Sequence, residues 1–468
     1  MENPYLAGPY GPVSDEASSD DLRVIGEIPR DLAGMYVRNG PNRKHAAPGR
    51  YHWFDGDGML HAIRFEDGDA RYQSRWVRTD ALRREDEAGG ALWRGLMEST
   101  RHNPADAPYK DTANTDVVFH GGELLALWYI CGAAHRVGID ELDTRGVLAE
   151  PGGKPLRLSA HAKADKKKNE LLFFDYGLRP PFMRYGVVEA DGTLAHHVPV
   201  DLPGPRLPHD MAFTEKHAVL MDLPVFYRPE ALEKKKWIVG YYPEIPARFG
   251  IIPRRGAPES IRWFEAEPCY IYHVVNAWDE GDKVVMIACR CTDPTPEVDP
   301  ADGDLARMLA NLRLRATLHR WTFDLGTGET HEEQLDDLSA EFPAINLAHG
   351  GRRSRYSYHV RIPKARTLVF DGIVKYDLES GGSEVFELPE GCFGSEVAFA
   401  PRQDGVGEDD GYLVSYVDDR DSDRSECWVL DARAVSAGPI AKVELPRRVP
   451  LGFHATWVTG NELARAKR

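Results

Sequence analysis

Short apolar and β-branched runs, broken every few positions by turn residues, dominate the chain from Tyr36 to Val458. Residues 115–120 are followed by Gly121-Gly122 and then by 124–130. Residues 171–176, 218–223, 283–290, 367–370 and 412–417 follow the same scheme. Runs of this length between such breakers predict strands. Helical periodicity is confined to 305–312 and to 229–236, where Pro229 falls in the first turn. Many short strands over more than 400 residues, without a linker, predict one large β assembly spanning 1–468. A propeller suits that length better than a sandwich, because four-stranded blades add radially without exposing long edges. The acidic stretch 403–410 predicts a surface hairpin loop.

Composition narrows the possible roles. The chain has 468 residues with 42% hydrophobic and 28% charged, as in ordinary globular proteins. Its net charge of −16 argues against a nucleic-acid partner, since phosphate binding needs a net basic face. The longest apolar run, 124–134, is about half of the roughly 20 residues that span a bilayer. Residues 1–21 lack the basic-then-apolar pattern of a signal peptide. The six cysteines form no metal-type pair, so a reduced, cytoplasmic protein is expected. Two basic patches interrupt the acidic background. The four lysines within 163–168 predict a solvated turn. Lys234-Lys235-Lys236 runs into Trp237, Ile238 and, further on, Phe249, which predicts a surface peripheral to a membrane.

Of 17 histidines, four lie beside β-type runs or tight turns: His161, His209, His273 and His454. Their spacing fits no local zinc motif. With seven blades of about 67 residues each, they fall about one, one and nearly three blades apart. One histidine from each of several inner strands would then meet on the axis. The spacing alone leaves ordinary core or surface histidines open.

At these segments the chain strongly resembles the carotenoid cleavage oxygenase family. The similarity rests on blocks 3–8, 36–42, 51–59, 111–115, 261–264, 408–412 and 453–455. It is greatest to the plant enzymes that cut at the 9,10 bonds, through Met221-Asp222-Leu223-Pro224 and 444–454. The resemblance implies a seven-bladed β-propeller with a dome of loops and short helices over the metal face. It implies Fe(II) held by His161, His209, His273 and His454, and cleavage of a carbon–carbon double bond by O2 into two carbonyl products. Four neutral imidazoles differ from the two-histidine, one-carboxylate oxygenase site in leaving the ferrous charge uncompensated.

Ligating imidazoles need a partner on the second nitrogen. The family's glutamates map onto Glu341 and Glu396. The third, expected beside His209, falls on Tyr129, and no glutamate lies between Glu123 and Glu141. The lysine and tyrosine that grip phenolic stilbenes in some relatives are also missing: the lysine position is Trp128, and no tyrosine lies between Tyr72 and Tyr109. An apolar polyene is therefore the expected substrate, with Trp53, Trp128 and Tyr270 as tunnel walls. The competing readings are the same chemistry on a stilbene or phenylpropene, ester cleavage without O2 as in retinoid isomerohydrolases, and a non-catalytic propeller that binds a hydrophobic ligand.

Overall fold

A computed structural model describes residues 2–467, apart from 234–237, 421 and 423. Seven sheets of four to six strands stand radially around one axis, and two short two-stranded sheets decorate them. This is the seven-bladed propeller expected. The innermost strands, in blade order, are Asp116–His120, Lys163–Asp165, Ala212–Phe213, Tyr270–Glu280, Ala340–Ala344, Ala398–Pro401 and Ala455–Thr459.

Alternation decides which strands face water. Asp69–Trp76, on the flank of the seventh blade, buries every second residue. Gly34–Asn42, next to the axis strand, is buried throughout. That contrast is what a strand covered on one face, against one covered on both, requires. The two chain ends close the ring. Gly34–Asn42 pairs with Ala455–Thr459, with Tyr36 opposite Trp457. Val24–Gly26 adds to Pro439–Glu444 in the sixth blade. Sheet edges that would otherwise invite pairing are thereby covered.

The strand runs hold with small shifts. Glu123–Leu127 ends before residues 128–130, which turn toward the axis end of the first blade. Residues 403–410 join Ala398–Pro401 to Gly411–Asp419 as a hairpin loop. One run fails: 367–370 is no strand. Leu368, Val369 and Phe370 pack instead with Tyr5, Tyr10, Trp53 and the short helix Ala306–Asn311 in one buried cluster. Its backbone is satisfied by isolated bonds rather than a ladder, with Leu368 N–H donating to Tyr5 Oη at 3.2 Å and the Phe370 carbonyl accepting from Gly394 N–H at 2.9 Å. That cluster is the core of the dome.

The basic, aromatic stretch after Lys234 does not form one exposed surface. Phe249 is fully buried in the strand Ala247–Pro253, with Trp321 and Phe323 against its ring, so it cannot contact a membrane. Ile238 is half-buried, and its carbonyl accepts from Arg228 N–H at 2.7 Å. Trp237 lies outside the described residues. Among the described residues no helix is long and apolar enough to cross a membrane. The cysteines are free, five of them buried.

Candidate metal centre

His161, His209 and His454 sit one to three residues before their inner strands, and His273 lies within its own. Four of the seven blades, the second, third, fourth and seventh, thus deliver one imidazole each to the axis. The ring centroid of His161 lies 4.7 Å from His209, 5.0 Å from His273 and 4.6 Å from His454. His209 and His273 are 5.2 Å apart. The ligand nitrogens of His161, His273 and His454 all lie within 4.8 Å of one another and are buried, a group that could hold a metal ion.

The tautomers are set from behind. Glu341 Oε2 lies 2.6 Å from His273 Nδ1 and also accepts from Phe342 N–H at 2.7 Å. Glu396 Oε1 lies 3.1 Å from His454 Nδ1, and its second oxygen accepts from Ala455 N–H. With Nδ1 engaged, Nε2 is free to ligate. His161 Nε2 and His273 Nε2 are indeed buried without a hydrogen-bond partner. An unpaired buried nitrogen is costly unless something binds it, and neutral imidazole nitrogens fit a ferrous ion.

Burial keeps three of these rings neutral, with the pKa of His161, His209 and His273 well below the ordinary histidine value. At His454 burial also disfavours the proton, but the adjacent Glu396, helped by Asp116 and Asp210, outweighs it and the pKa rises. Burial pushes the Glu341 carboxyl well above the usual range.

Tyr129 does not support His209. Its ring packs edge-on to Phe54 at 5.1 Å, its N–H donates to Thr115 Oγ1 at 3.2 Å, and its carbonyl accepts from Tyr176 Oη at 2.7 Å. Among the described residues the His209 side chain makes no hydrogen bond; Tyr272 packs on its ring at 5.1 Å. Trp53, Trp128 and Tyr270 are all buried. Trp53 belongs to the dome cluster and packs at a tilt, 4.5 Å from Phe453, the residue before His454. Tyr270 Oη donates to the Leu207 carbonyl at 2.7 Å.

Four neighbours of the ring were not legible as site residues. Phe342 stacks on His454 at 4.9 Å and lies tilted against His273 at 4.7 Å, in a left-handed backbone conformation (φ 50°) that a bulky side chain adopts only under tertiary constraint. Lys163, expected in a solvated turn, points inward and pairs with Asp210 at 2.7 Å. Asp210 also accepts from Val274 N–H at 2.7 Å, tying the third blade to the fourth beside His273. Asp116 Oδ2 lies 3.3 Å from His161 Nδ1. A cavity of about 190 Å³ runs along the inner strands below the ring, lined by Asp116, Lys163, Asp210 and apolar residues such as Val275 and Phe399.

The family model described as retinal pigment epithelial membrane protein matches residues 10–459. The chain is 38% identical to a carotenoid 9,10(9′,10′)-cleavage dioxygenase of Phaseolus vulgaris, over 98% of this chain and 90% of the relative. The structure superimposes on lignostilbene dioxygenase from Pseudomonas brassicacearum with a TM-score of 0.88 at 28% identity, covering 98% and 99% of the two chains. A cobalt-substituted Synechocystis apocarotenoid oxygenase matches with a TM-score of 0.83 at 29% identity, over 96% and 97%. A propeller with an axial histidine cluster, together with a family match and relatives that span nearly its whole length, places this chain in the carotenoid cleavage oxygenase family.

Proposed function

We propose that the protein is a non-haem Fe(II) dioxygenase that cleaves a carbon–carbon double bond of a carotenoid or apocarotenoid with O2, giving two carbonyl products. The observation that carries this reading is the convergence of four imidazoles on the axis, two with buried, unpartnered Nε2 atoms. His161, His209, His273 and His454 would hold the ion. When bound, Fe(II) supplies the electrons and open positions that O2 chemistry needs.

The chain's own residues do the rest. Glu341 and Glu396 keep the Nδ1 protons of His273 and His454 in place, so Nε2 stays aimed at the axis. Phe342 and Phe453 close an apolar wall against the ring, and with Trp53 and Phe54 they suit a hydrocarbon chain better than a charged substrate. Trp128, where phenol-gripping relatives carry a lysine, is buried and offers no charge. Trp53, Trp128 and Tyr270 are proposed as substrate walls on this side of the ring. The fold-level likeness to lignostilbene dioxygenase supports a second reading, the same cleavage of an aromatic alkene.

Dialysis against a strong chelator is expected to abolish turnover, and Fe(II) to restore it. Incubation with β-apocarotenals, stilbenes and phenylpropenes under labelled O2 is expected to yield aldehydes from the apocarotenals, with label in both products. Cleavage confined to stilbenes or phenylpropenes would transfer the proposal to the second reading. Ester cleavage with no label would replace it.

Peripheral membrane contact is retained for Trp237 and Ile238 only, supported by Val239, which is 37% exposed beside them. Serine at both positions is expected to lower co-sedimentation with liposomes severalfold. Unchanged co-sedimentation would exclude that contact.

A further inference from the structure

On or just before the seven inner strands, each blade brings an imidazole or a carboxylate to the axis, Asp116, His161, His209, His273, Glu341, Glu396 and His454, with the Lys163–Asp210 pair beside them. Neighbouring blades touch along these strands, and each carboxylate stands one blade away from the imidazole it faces. Glu341 of the fifth blade faces His273 of the fourth, and Glu396 of the sixth faces His454 of the seventh. Asp116 of the first blade faces His161 of the second, 3.3 Å away.

We infer that Asp116 is the third carboxylate of the metal centre, a positioning residue that holds His161 where Tyr129 leaves the expected glutamate missing. This rests on the reading that the four imidazoles share a ferrous ion. His161 Nε2 is buried and unpartnered, so a ligating His161 carries its proton on Nδ1 and needs an acceptor there. The Asp116 carboxylate, whose Oδ2 lies 3.3 Å from Nδ1, is the group placed to accept it.

The aspartate is fixed in place rather than drawn in by chance. Its Oδ1 accepts from Val117 N–H at 2.6 Å, and its carbonyl accepts from Asn39 Nδ2 at 2.9 Å. Asn39 N–H in turn donates to the His454 carbonyl at 2.9 Å, so one asparagine locks the first blade to the seventh. The nearby Lys163 pairs directly with Asp210, at 2.7 Å, rather than with Asp116.

The three imidazoles backed by a carboxylate are then His161, His273 and His454, the same three whose nitrogens cluster within 4.8 Å. His209 is the ring held by packing alone. A glutamate at 129 would have placed the third negative charge behind His209. The aspartate at 116 places it behind His161 instead and keeps three carboxylates around a doubly charged ion.

The test is the affinity of the purified protein for Fe(II), measured by anaerobic chelator competition. Asp116→Asn and Glu341→Gln are each expected to raise the Fe(II) dissociation constant about 10- to 100-fold, because outer partners of ligands act on this scale. The visible bands of the Co(II)-loaded variant are expected to shift, while the melting temperature of the apo-protein stays unchanged. An Asp116→Asn affinity within about twofold of wild type, beside a weakened Glu341→Gln, overturns the assignment alone. Failure of the wild type to bind Fe(II) overturns the metal reading and this assignment together. If Asp116→Asn does not fold, a crystal structure of the iron-loaded wild type decides. Asp116 Oδ2 within about 3.0 Å of His161 Nδ1 supports the assignment, and a water or another group on that nitrogen overturns it.

Discussion

His273→Ala is expected to yield a folded protein that retains no stoichiometric Fe(II) and has lost cleavage activity by more than about 100-fold. The lower bound comes from scale: removing an outer partner of a metal ligand costs about 10- to 100-fold, and removing the ligand itself must cost more. Position 273 is the most demanding of the four. Its ring packs against His161, His209, His454 and Phe342, so alanine opens a hole at the centre of the ring. It also strands Glu341, which is fully buried and loses its 2.6 Å partner. A carboxyl so placed takes up a proton rather than remain as an uncompensated charge. The backbone survives because Val274 N–H keeps Asp210 and the long strand Tyr270–Glu280 keeps its ladder. Metal analysis of anaerobically purified protein and product mass analysis check the outcome. His359→Ala is the control, since His359 is equally buried but bonded to Ser357 at 3.0 Å, away from the axis. It is expected to keep its iron. Full iron occupancy in His273→Ala would remove that histidine from the ligand set.

Phe249→Ser is expected to destabilise the fold by about 4 kcal/mol or more, without specifically affecting membrane contact. Truncating a buried phenylalanine to alanine costs about 3–5 kcal/mol, and serine adds a hydroxyl with no partner. The ring is fully buried between Trp321 at 5.7 Å and Phe323 at 5.1 Å, and its strand pairs on both sides, opposite Met221 and Phe264. Collapse of the hole is resisted by two ladders. With an unfolding entropy of about 2.1 cal/mol/K per residue, a chain of this size loses only about 4 °C of melting temperature for 4 kcal/mol. Scanning calorimetry on the iron-loaded protein can resolve that. A melting temperature equal to wild type would show that the ring is not load-carrying in the core and would reopen the exposed reading of this stretch.

The aromatic stretch after Lys234 shows why side chains were harder to place than strands. Lysines followed by Trp237, Ile238 and Phe249 resemble an interfacial surface as long as the chain is treated as one-dimensional. Phe249 lies on a strand with a partner on each edge, and the face it points to is covered by the neighbouring fourth blade through Trp321 and Phe323. Which face of a strand is wet is set by the next sheet, not by the strand's own pattern, when both faces are apolar. Residues 367–370 failed for a related reason. Their apolar run satisfied a burial need in the dome that a strand would have met equally well.

What the sequence determined by itself was the set of local decisions: short strands between Gly, Asn and Asp turns, a propeller as their sum, and four histidines whose surrounding blocks mark them as a set. Period-two burial and turn chemistry act within a few residues, so they are legible in one dimension. The backing of the ring was legible only where a block carried it, at Glu341 and Glu396. Asp116 carried no such signal, being one aspartate at the start of an ordinary strand. Only the tertiary structure decided that it faces His161, because the contact joins residues on adjacent blades whose distance is set by closure of the whole ring. The same closure turned Lys163 inward onto Asp210 and left His209 without a carboxylate, since the order of the blades fixes which side chains become neighbours at the axis.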